Sequence, residues 1–336
     1  MDSIDIISYN TKGLRDLSKR RKIFDFLKDK LLSGIFFLQE THSAEFDAFK
    51  WQIEWGNKSN LYLNHGQSNA RGTAIAFKNL DFSVNKYITD TLGRLQIMSI
   101  NTPDVPHKIL LVNIYNENLE ADQVKLMSDL ELKLDSLDDI SDHVIIMGGD
   151  WNFILDNKID ALGGNPALKL NSITMHNKLL AKYDLIDIYR ARNRSSKRFT
   201  FRQRTPALHR RLDYFLVSNI LQESIPKVDI LASLSSDHSP ILISLKFNDE
   251  IKKGPNYWKF NTSLLRDENF CSEMNNKISN WQTEFYTLAP QLRWELIKYE
   301  IRKFSMKYSK NRAKAARDLE KKNRNNNKKL LNKPSC

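Results

Sequence analysis

The sequence predicts a layered α/β domain followed by a basic helical extension, and three observations lead to this prediction. Short apolar or alternating runs recur up to residue 247, helical patterns lie between them, and this texture ends near residue 249. Residues 109–114 and 144–147 are apolar at successive positions, so we expect strands that are covered on both faces. Strands mixed with helices and hairpins favour packed layers over a simple alternating barrel.

Eight segments of the first part are predicted as strands, because each is apolar or alternating and is bounded by turn-forming residues. They are residues 4–9, 35–39, 72–77, 94–100, 108–115, 143–148, 211–217 and 241–247. Two helices are predicted where apolar residues recur every three or four positions, at residues 23–31 and 124–137.

The basic character of the chain lies in the predicted extension. Residues 249–336 contain 20 Lys and Arg against 10 Asp and Glu, whereas the preceding residues contain 32 against 30. We therefore place a domain boundary between residues 248 and 249, and predict a long helix over residues 296–330. A segment of this charge fits binding to a polyanion, and a solvated helix face is the alternative interpretation.

Composition excludes several classes of protein. No apolar run approaches the roughly 20 residues that a membrane-spanning helix needs, and the first residues do not follow the plan of a secretory signal. We expect an intracellular protein with no membrane partner. Cys271 and Cys336 have no His or Cys at zinc-like spacing, so we predict two free thiols.

Five short segments place polar side chains where an apolar strand ends. They are residues 8–14, 36–42, 112–116, 146–152 and 235–240. Taken alone, each is more often a cap or a turn than part of a site. Together they supply the groups that phosphodiester hydrolysis requires, namely ligands for a hard cation, an acceptor for the proton of water, and donors for phosphate oxygens.

The residue types suggest a role for each group. Glu40 and Asp237 offer the carboxylate oxygens that Mg²⁺ prefers. Asp150 can accept a proton from water, and Asn152 lies two residues later, so that both face the same way in an extended chain. Donors to phosphate oxygens are expected from Asn10, Asn152, Tyr115 and His238. Asp213 lies in a predicted strand that has no other need of a charge, and it is the expected partner of His238.

These segments, in this order over residues 4–247, resemble the motifs of the endonuclease/exonuclease/phosphatase superfamily, which includes apurinic endonucleases and the endonuclease domains of LINE-type retrotransposons. The resemblance implies a four-layered α/β sandwich of two packed β-sheets flanked by helices, with the site at one end. It implies Mg²⁺, with Mn²⁺ as the alternative. The implied catalytic residues are Asp150, Asn152, His238, Asp213 and Tyr115, and the implied metal ligands are Glu40, Asp237 and Asn10. Every position is filled, which favours an enzyme over an inactive scaffold.

Two features separate members of this superfamily. Apurinic endonucleases that resemble this chain carry Asp or Asn two residues after the first asparagine, whereas this chain has Lys12, which weakens an assignment to repair. Residues 190–211 contain nine Lys or Arg and no acid, so we predict a surface for the phosphate backbone. Its predicted contacts are Arg198, Thr200, Arg202, Arg204, Arg210, Arg211 and Ser236, and an exposed hairpin with solvated arginines is the alternative.

The start of the extension, residues 257–265, is similar to the segment that joins endonuclease to reverse transcriptase in LINE-1-like second open reading frames. We therefore predict a Mg²⁺-dependent nicking endonuclease of a LINE-type retroelement, with DNA as its substrate and the nucleus as its location. We expect this chain to lack a reverse transcriptase, and to be fused to one in the full-length element. The alternatives are an apurinic/apyrimidinic repair endonuclease related to exonuclease III, and a non-catalytic nucleic-acid-binding module.

Overall fold

A computed structural model describes residues 3–56, 60–66, 69–103, 105, 107–137, 140–246, 260 and 262–331. The chain divides into two units, Met1–Tyr257 and Trp258–Cys336. The boundary predicted between residues 248 and 249 lies outside the described residues, so it stays a prediction.

Among the residues that the structure describes, the strands all belong to the first unit. They are β1 (Ile4–Asn10), β2 (Gly34–Gln39), β3 (Leu61–Asn64), β4 (Thr73–Lys78), β5 (Ser83–Thr89), β6 (Leu95–Asn101), β7 (Lys108–Tyr115), β8 (His143–Asp150), β9 (Ala161–Leu162), β10 (Leu185–Asp187), β11 (Phe201–Gln203), β12 (Leu208–Arg210), β13 (Asp213–Ser218), β14 (Lys227–Ile230) and β15 (Ile241–Leu245). One six-stranded sheet has the order β14-β15-β1-β2-β4-β3, and the other has the order β10-β13-β8-β7-β6-β5. A small third sheet has the order β11-β12-β9.

Helices cover the outer faces of the two large sheets. The first unit contains α1 (Leu17–Lys30), α2 (Ala48–Trp55), α3 (Glu120–Asp135), α4 (Leu170–Tyr183) and α5 (Ile188–Arg192). Side chains of α1 and α2 pack with β1 and β2 in one apolar cluster, and side chains of α3 and α4 pack with β6, β7 and β8 in another.

The third cluster lies between the two sheets, and the alternation of side chains along the strands explains it. In β2, Ile35 and Phe37 belong to the cluster between the sheets, whereas Phe36 and Leu38 belong to the cluster with α1 and α2. The ring of Phe37 lies 6.1 Å from the ring of Phe215 of β13, which belongs to the other sheet. The predicted four-layered α/β sandwich is confirmed.

The eight predicted strands are present, with shifted ends at most of them. The strands that the sequence did not predict are short or lie at sheet edges, namely β3, β5, β9, β10, β11, β12 and β14. The side chains of β5 are exposed or half-buried throughout, so its sequence carries no apolar alternation. Helices α2, α4 and α5 were not predicted either.

The second unit contains α6 (Glu268–Glu284) and α7 (Pro290–Leu331), and α7 includes the predicted helix at 296–330. Its apolar cluster is small, with Leu264, Phe270 and Met274 buried and partly buried aromatic side chains around them. Cys271 is a free thiol, as predicted, whereas Cys336 lies outside the described residues. In the part of the chain that the structure describes, no helix is both long and apolar enough to cross a membrane.

Candidate active site

The polar strand ends meet at one edge of the sandwich because of the strand directions. β1 and β2 are parallel neighbours, and so are β7 and β8, which places Tyr115 beside Asp150. β13 runs antiparallel to β8 and begins where β8 ends, so Asp213 pairs in register with Asp150. Residues far apart in sequence thus share one site.

Asn10 joins the two sheets at this edge. Its Nδ2 atom donates to Glu40 Oε1 and to Asp150 Oδ2, at 2.9 Å each, and its side chain is fully buried. Its Oδ1 atom accepts a hydrogen bond from the backbone N–H of Lys12 at 3.0 Å. Asn10 was predicted as a metal ligand, but here its amide nitrogen, not its oxygen, faces the two carboxylates.

Glu40 follows β2 in a left-handed turn with φ +48°. Burial alone would raise the pKa of Glu40, but the nearby imidazole of His42 and hydrogen bonds from Asn10 and Tyr115 outweigh it and lower the pKa to about 2. His42 Nε2 lies 3.6 Å from Glu40 Oε2. Glu40 is therefore ionised at neutral pH, as a ligand for a hard cation must be.

His42 lies close to the turn after β1, and glycine makes this approach possible. Gly13 has φ +85°, and a Cβ atom there would lie 2.8 Å from His42 Nδ1. No role was predicted for His42, although it ends one of the five polar segments, residues 36–42. Its contact with Glu40 is local, two residues apart, whereas its approach to Gly13 is a tertiary contact that the sequence does not show.

Asp213 and His238 form the second half of the site. His238 Nδ1 donates to Asp213 Oδ2 at 2.8 Å, so the predicted pairing of the two residues is present. His238 Nε2 faces Asp150 Oδ2 at 3.7 Å. All three side chains are buried. Thr200 Oγ1 accepts the backbone N–H of Asp213 at 3.0 Å and fixes the start of β13.

The charges in this half depend on one another. Burial lowers the pKa of His238, but the carboxylates of Asp213 and Asp150 outweigh burial and raise it well above its usual range. Burial and the charge of Asp213 raise the pKa of Asp150, although His238 and Asn10 oppose this. The arrangement is that of an imidazolium held between two carboxylates.

Tyr115 and Asn152 lie beside Asp150. Tyr115 is hydrogen-bonded to Glu40, and burial together with the charges of Glu40 and Asp150 raises the pKa of Tyr115 far above its usual value, so the phenol stays a donor. Asn152 N donates to Asp150 Oδ1 at 3.0 Å, and Asn152 Nδ2 donates to the backbone oxygen of Asn116 at 2.8 Å. The predicted extended spacing of Asp150 and Asn152 is wrong, because β8 ends at Asp150 and Asn152 has φ +55°.

The residues of the segment 235–240 make two different kinds of contact. Ser236 Oγ donates to the backbone oxygen of Asn10 at 2.8 Å and accepts the backbone N–H of His238 at 3.1 Å. Asp237 Oδ2 lies 2.6 Å from Lys12 Nζ. Asp237 was predicted as a metal ligand, and the structure gives it an ammonium partner instead.

Two of the predicted nucleic-acid contacts are buried, and their assignment to the surface is wrong. Thr200 is fully buried and accepts backbone hydrogen bonds, as described above. Arg211 is 1% exposed, with Nε 2.7 Å from Asp160 Oδ1 and Nη2 2.7 Å from Asp187 Oδ2. Two buried carboxylates fix this guanidinium inside the protein, which the spacing of basic residues in the sequence does not reveal.

The other arginines that were predicted as contacts reach the surface. Arg198, Arg202 and Arg204 are exposed, and Arg210 is half-buried with Nη2 donating to the backbone oxygen of Gly163 at 2.8 Å. β11 and β12 form a hairpin beside the site, since Phe201 is bridged to His238 and their rings lie 5.1 Å apart.

A buried polar network behind the site was also missed. Gln39 Nε2 donates to Asn113 Oδ1 at 2.7 Å, and Asn113 Nδ2 donates to the backbone oxygens of Leu38 and Ala74 at 3.1 and 2.8 Å. These hydrogen bonds cross from one large sheet to the other, and Gln39 directly precedes Glu40 in the sequence. The only available signal was an amide inside each of two apolar strands.

The donor set fits a hard divalent cation. Glu40 supplies an ionised carboxylate, and Asn10 holds Asp150 next to it, so the side chains offer oxygen ligands of the kind that Mg²⁺ prefers. Asp150, Asp213 and His238 also bring three possible ligand atoms within 4.8 Å of one another. In that group the imidazolium already offsets one of the two carboxylate charges, so Glu40 is the better position for a divalent cation.

A two-sheet α/β sandwich with such a site at one edge is the architecture of a metal-dependent hydrolase of the nuclease class. The family model described as the Endonuclease/Exonuclease/phosphatase family matches residues 7–238, and the chain belongs to this family.

One curated relative and two solved structures show what the chain is similar to. The chain is 25% identical over 313 residues to the transposon TX1 uncharacterized 149 kDa protein of Xenopus laevis, and the match covers 92% of the chain but 23% of that protein. The AP endonuclease LMAP from Leishmania major has a TM-score of 0.62 at 19% identity, covering 74% of this chain and 89% of its own. The APE2 catalytic domain of Xenopus laevis has a TM-score of 0.60 at 17% identity, covering 74% and 94%. These two likenesses concern the fold.

Proposed function

We propose that this chain is a Mg²⁺-dependent endonuclease that nicks DNA, and that it forms part of a longer LINE-type retroelement protein. One observation carries the proposal: Asp150 lies between two pairs of side chains. On one side Asn10 joins it to Glu40, and on the other His238 links it to Asp213. Ligands for a cation, an acceptor for a proton and a charged donor thus converge on one point.

Each side chain has a task in the proposed reaction. Glu40 would hold the ion, and Mg²⁺, when bound, would supply positive charge that stabilises the developing charge on phosphate. Asp150 accepts the proton of the attacking water at a carboxylate oxygen. His238 is arranged to donate from Nε2 to a phosphate oxygen, because Asp213 engages Nδ1. Tyr115 and Asn10 donate to the carboxylates of the site and hold them in place. As the water oxygen bonds to phosphorus, the P–O3′ bond breaks and the 3′ oxygen takes a proton from solvent, so the products carry 3′-hydroxyl and 5′-phosphate ends.

The choice of Asp150 rather than His238 as the proton acceptor follows from the contacts of the two residues. His238 lies between two carboxylates, which favour its protonated form, and a protonated imidazole cannot take a proton from water. Asp150, in its ionised form, can accept one. Its buried position beside Asp213 makes it a stronger base than an exposed aspartate.

DNA is proposed as the substrate because of the basic hairpin and the transposon relative. Arg202 and Arg204 lie on the exposed β11–β12 hairpin, next to His238. Guanidinium groups in that position suit the phosphates that flank the one being cleaved. A retroelement nuclease acts on chromosomal DNA, so the proposal also places the protein in the nucleus. The relative is much longer than this chain, which supports fusion to further domains.

Nicking of supercoiled plasmid tests the proposal. The wild-type chain, with Asp150→Asn and His238→Ala as matched variants, is incubated with Mg²⁺ or with chelator, and open circles are counted on a gel. We expect nicking by the wild type with Mg²⁺ alone, and a loss of roughly 10²-fold or more in each variant. Equal nicking in all three proteins, or nicking in chelator, would remove this site from consideration.

Cleavage of short duplexes separates the proposed function from abasic-site repair. A duplex oligonucleotide with one abasic site is compared with its undamaged counterpart. Lys12 stands where repair enzymes of similar sequence carry an acid or an amide, so we expect comparable cleavage of both duplexes. A strong preference for the abasic duplex would reassign the chain to repair.

A non-catalytic binding module is the remaining alternative, and truncation distinguishes it. All of the site residues, and the three large apolar clusters, belong to the first unit. A chain ending at residue 248 is therefore expected to keep Mg²⁺-dependent nicking, and to bind DNA more weakly and with less dependence on salt. If binding is retained by the whole chain without any cleavage, the module interpretation is correct.

A further inference from the structure

The turn after β1 brings an ammonium group to the edge of the site. Lys12 has φ +51°, and its Nζ atom lies 2.6 Å from Asp237 Oδ2. The turn is fixed at two further points. The backbone N–H of Lys12 donates to Asn10 Oδ1 at 3.0 Å, and the backbone oxygen of Lys12 accepts from Lys19 Nζ at 2.6 Å. The position of Lys12 is therefore set by residues of the site and by α1.

Stability does not explain this ion pair. The side chain of Lys12 is 58% exposed and that of Asp237 is 28% exposed, and ion pairs of this exposure contribute little to folding. Its location is the informative part, because Asp237 directly precedes His238. Asp237 is also fixed by its backbone, since its carbonyl oxygen accepts the N–H of Arg202 at 2.9 Å. The pair thus offsets the charge of a carboxylate beside the site.

A divalent ion at Asp237 would meet two ammonium groups. Lys12 contacts the carboxylate directly, and Lys19 lies within electrostatic range of Lys12, Asp237 and Glu40. A cation near that carboxylate would have to displace Lys12 and would be repelled by both lysines. Glu40 differs, because its side-chain partners are the amide of Asn10, the phenol of Tyr115 and the imidazole of His42, whereas the ammonium of Lys12 contacts Asp237 directly.

We propose that the ammonium of Lys12 takes the place of a second divalent cation at Asp237, so that the chain holds a single divalent ion, at Glu40. This inference rests on the proposed function and deepens it. Lys12 is then a residue that determines the number of ions, and Asp237 is a ligand of that ammonium. Removal of the Lys12 side chain is expected to open Asp237 to a second ion.

The number of bound ions is measured directly, without DNA and without turnover. Mn²⁺ is titrated into the full chain, and the free ion is followed by electron paramagnetic resonance. We expect one bound Mn²⁺ in the wild type and two in Lys12→Asn, since asparagine tolerates the left-handed backbone at this position and carries no charge. Lys22→Asn, which changes an exposed lysine of α1 in the same way, is expected to bind one.

Two further variants make the test specific to this pair. Lys12→Arg keeps the positive charge, and we expect one ion. Lys12→Asn combined with Asp237→Asn removes the carboxylate that would hold the second ion, and the count is expected to return to one. Circular dichroism confirms that each variant is folded.

The possible outcomes distinguish the inference from the function it rests on. Two ions in the wild type, or one ion in Lys12→Asn, would overturn the inference while leaving Mg²⁺-dependent nicking intact. No bound ion in the wild type, together with absence of nicking, would overturn the proposed function itself. Two ions in Lys12→Asn with one in the double variant would establish the role of Lys12.

Discussion

His238 and Asp213 are joined by a hydrogen bond of 2.8 Å between Nδ1 and Oδ2, and both side chains are almost fully buried. The other oxygen of Asp213, Oδ1, has no hydrogen-bond partner among the described residues. The imidazole of His238 is therefore the hydrogen-bond partner of this carboxylate. The carboxylate fixes the orientation of the ring and leaves Nε2 to face Asp150.

Replacement of Asp213 by asparagine tests the role of this hydrogen-bonded pair. An amide is neutral and does not stabilise the imidazolium form of His238, so we expect nicking to fall by roughly 10²- to 10⁴-fold. The rate is measured on supercoiled plasmid at saturating Mg²⁺. Asp229→Asn, which changes a more exposed aspartate of the same unit, serves as the control and is expected to nick normally. A normal rate in Asp213→Asn would contradict the assigned role.

Two buried histidines are expected to have opposite protonation states at neutral pH. Burial lowers the pKa of His176 to about 4, so its ring is neutral. Burial also acts on His238, but Asp213 and Asp150 outweigh it and hold the pKa of His238 above its usual value, so its ring is charged. Nitrogen chemical shifts of the two rings, measured by NMR at pH 7, check the difference.

The stability that the pair of His238 and Asp213 contributes depends on pH, and the raised pKa of His238 sets the direction of this dependence. The pairing with Asp213 contributes its full stabilisation below the unfolded pKa of histidine, and the contribution is lost as the pH rises through the folded value. We therefore expect the difference in unfolding free energy between wild type and Asp213→Asn to be larger at pH 6 than at strongly alkaline pH. A difference that grows with pH would contradict this assignment.

Arg211 and Arg204 are expected to respond differently to the same substitution. Arg211→Ala leaves Asp160 and Asp187 buried with less compensation, and we expect a loss of roughly 3 to 5 kcal/mol in unfolding free energy. Arg204→Ala changes an exposed side chain, and we expect less than about 0.5 kcal/mol. Urea denaturation measures both.

The salt dependence of DNA binding by Arg204→Ala tests the proposed contact of Arg204 with phosphate. If Arg204 contacts phosphate as proposed, Arg204→Ala lowers the slope of log affinity against log salt by about 1. An unchanged slope would assign Arg204 to a solvated hairpin instead.

The amide network between the sheets is expected to matter for stability and for the site. Asn113→Leu removes a donor from the carbonyl oxygens of Leu38 and Ala74 and an acceptor from Gln39. We expect a loss of about 2 kcal/mol or more, because buried polar groups lose their partners. Asn118→Leu makes the same change at an exposed asparagine and is expected to be near neutral. Equal unfolding free energies for the two variants would contradict the role of the network.

Local patterns in the sequence were sufficient for the layers and for most candidate residues. Apolar runs such as residues 144–147 predict covered strands, and β8 is buried along its whole length. Polar residues at strand ends identified Asp150 and His238, since charged groups next to such runs need a specific reason. Exposed edge strands such as β5 carry no comparable pattern, because half of their surface meets water.

By itself, the sequence determined which chemical groups this protein carries and where its eight long apolar strands lie along the chain, because both depend on residue type and on short-range periodicity. Only the tertiary structure decided which partners those groups meet. Asp237 contacts Lys12 across 225 residues, and Arg211 lies inside the protein although it follows a run of exposed arginines. Such contacts depend on strand pairing and on the packing of two sheets, which bring together residues whose proximity no local pattern records.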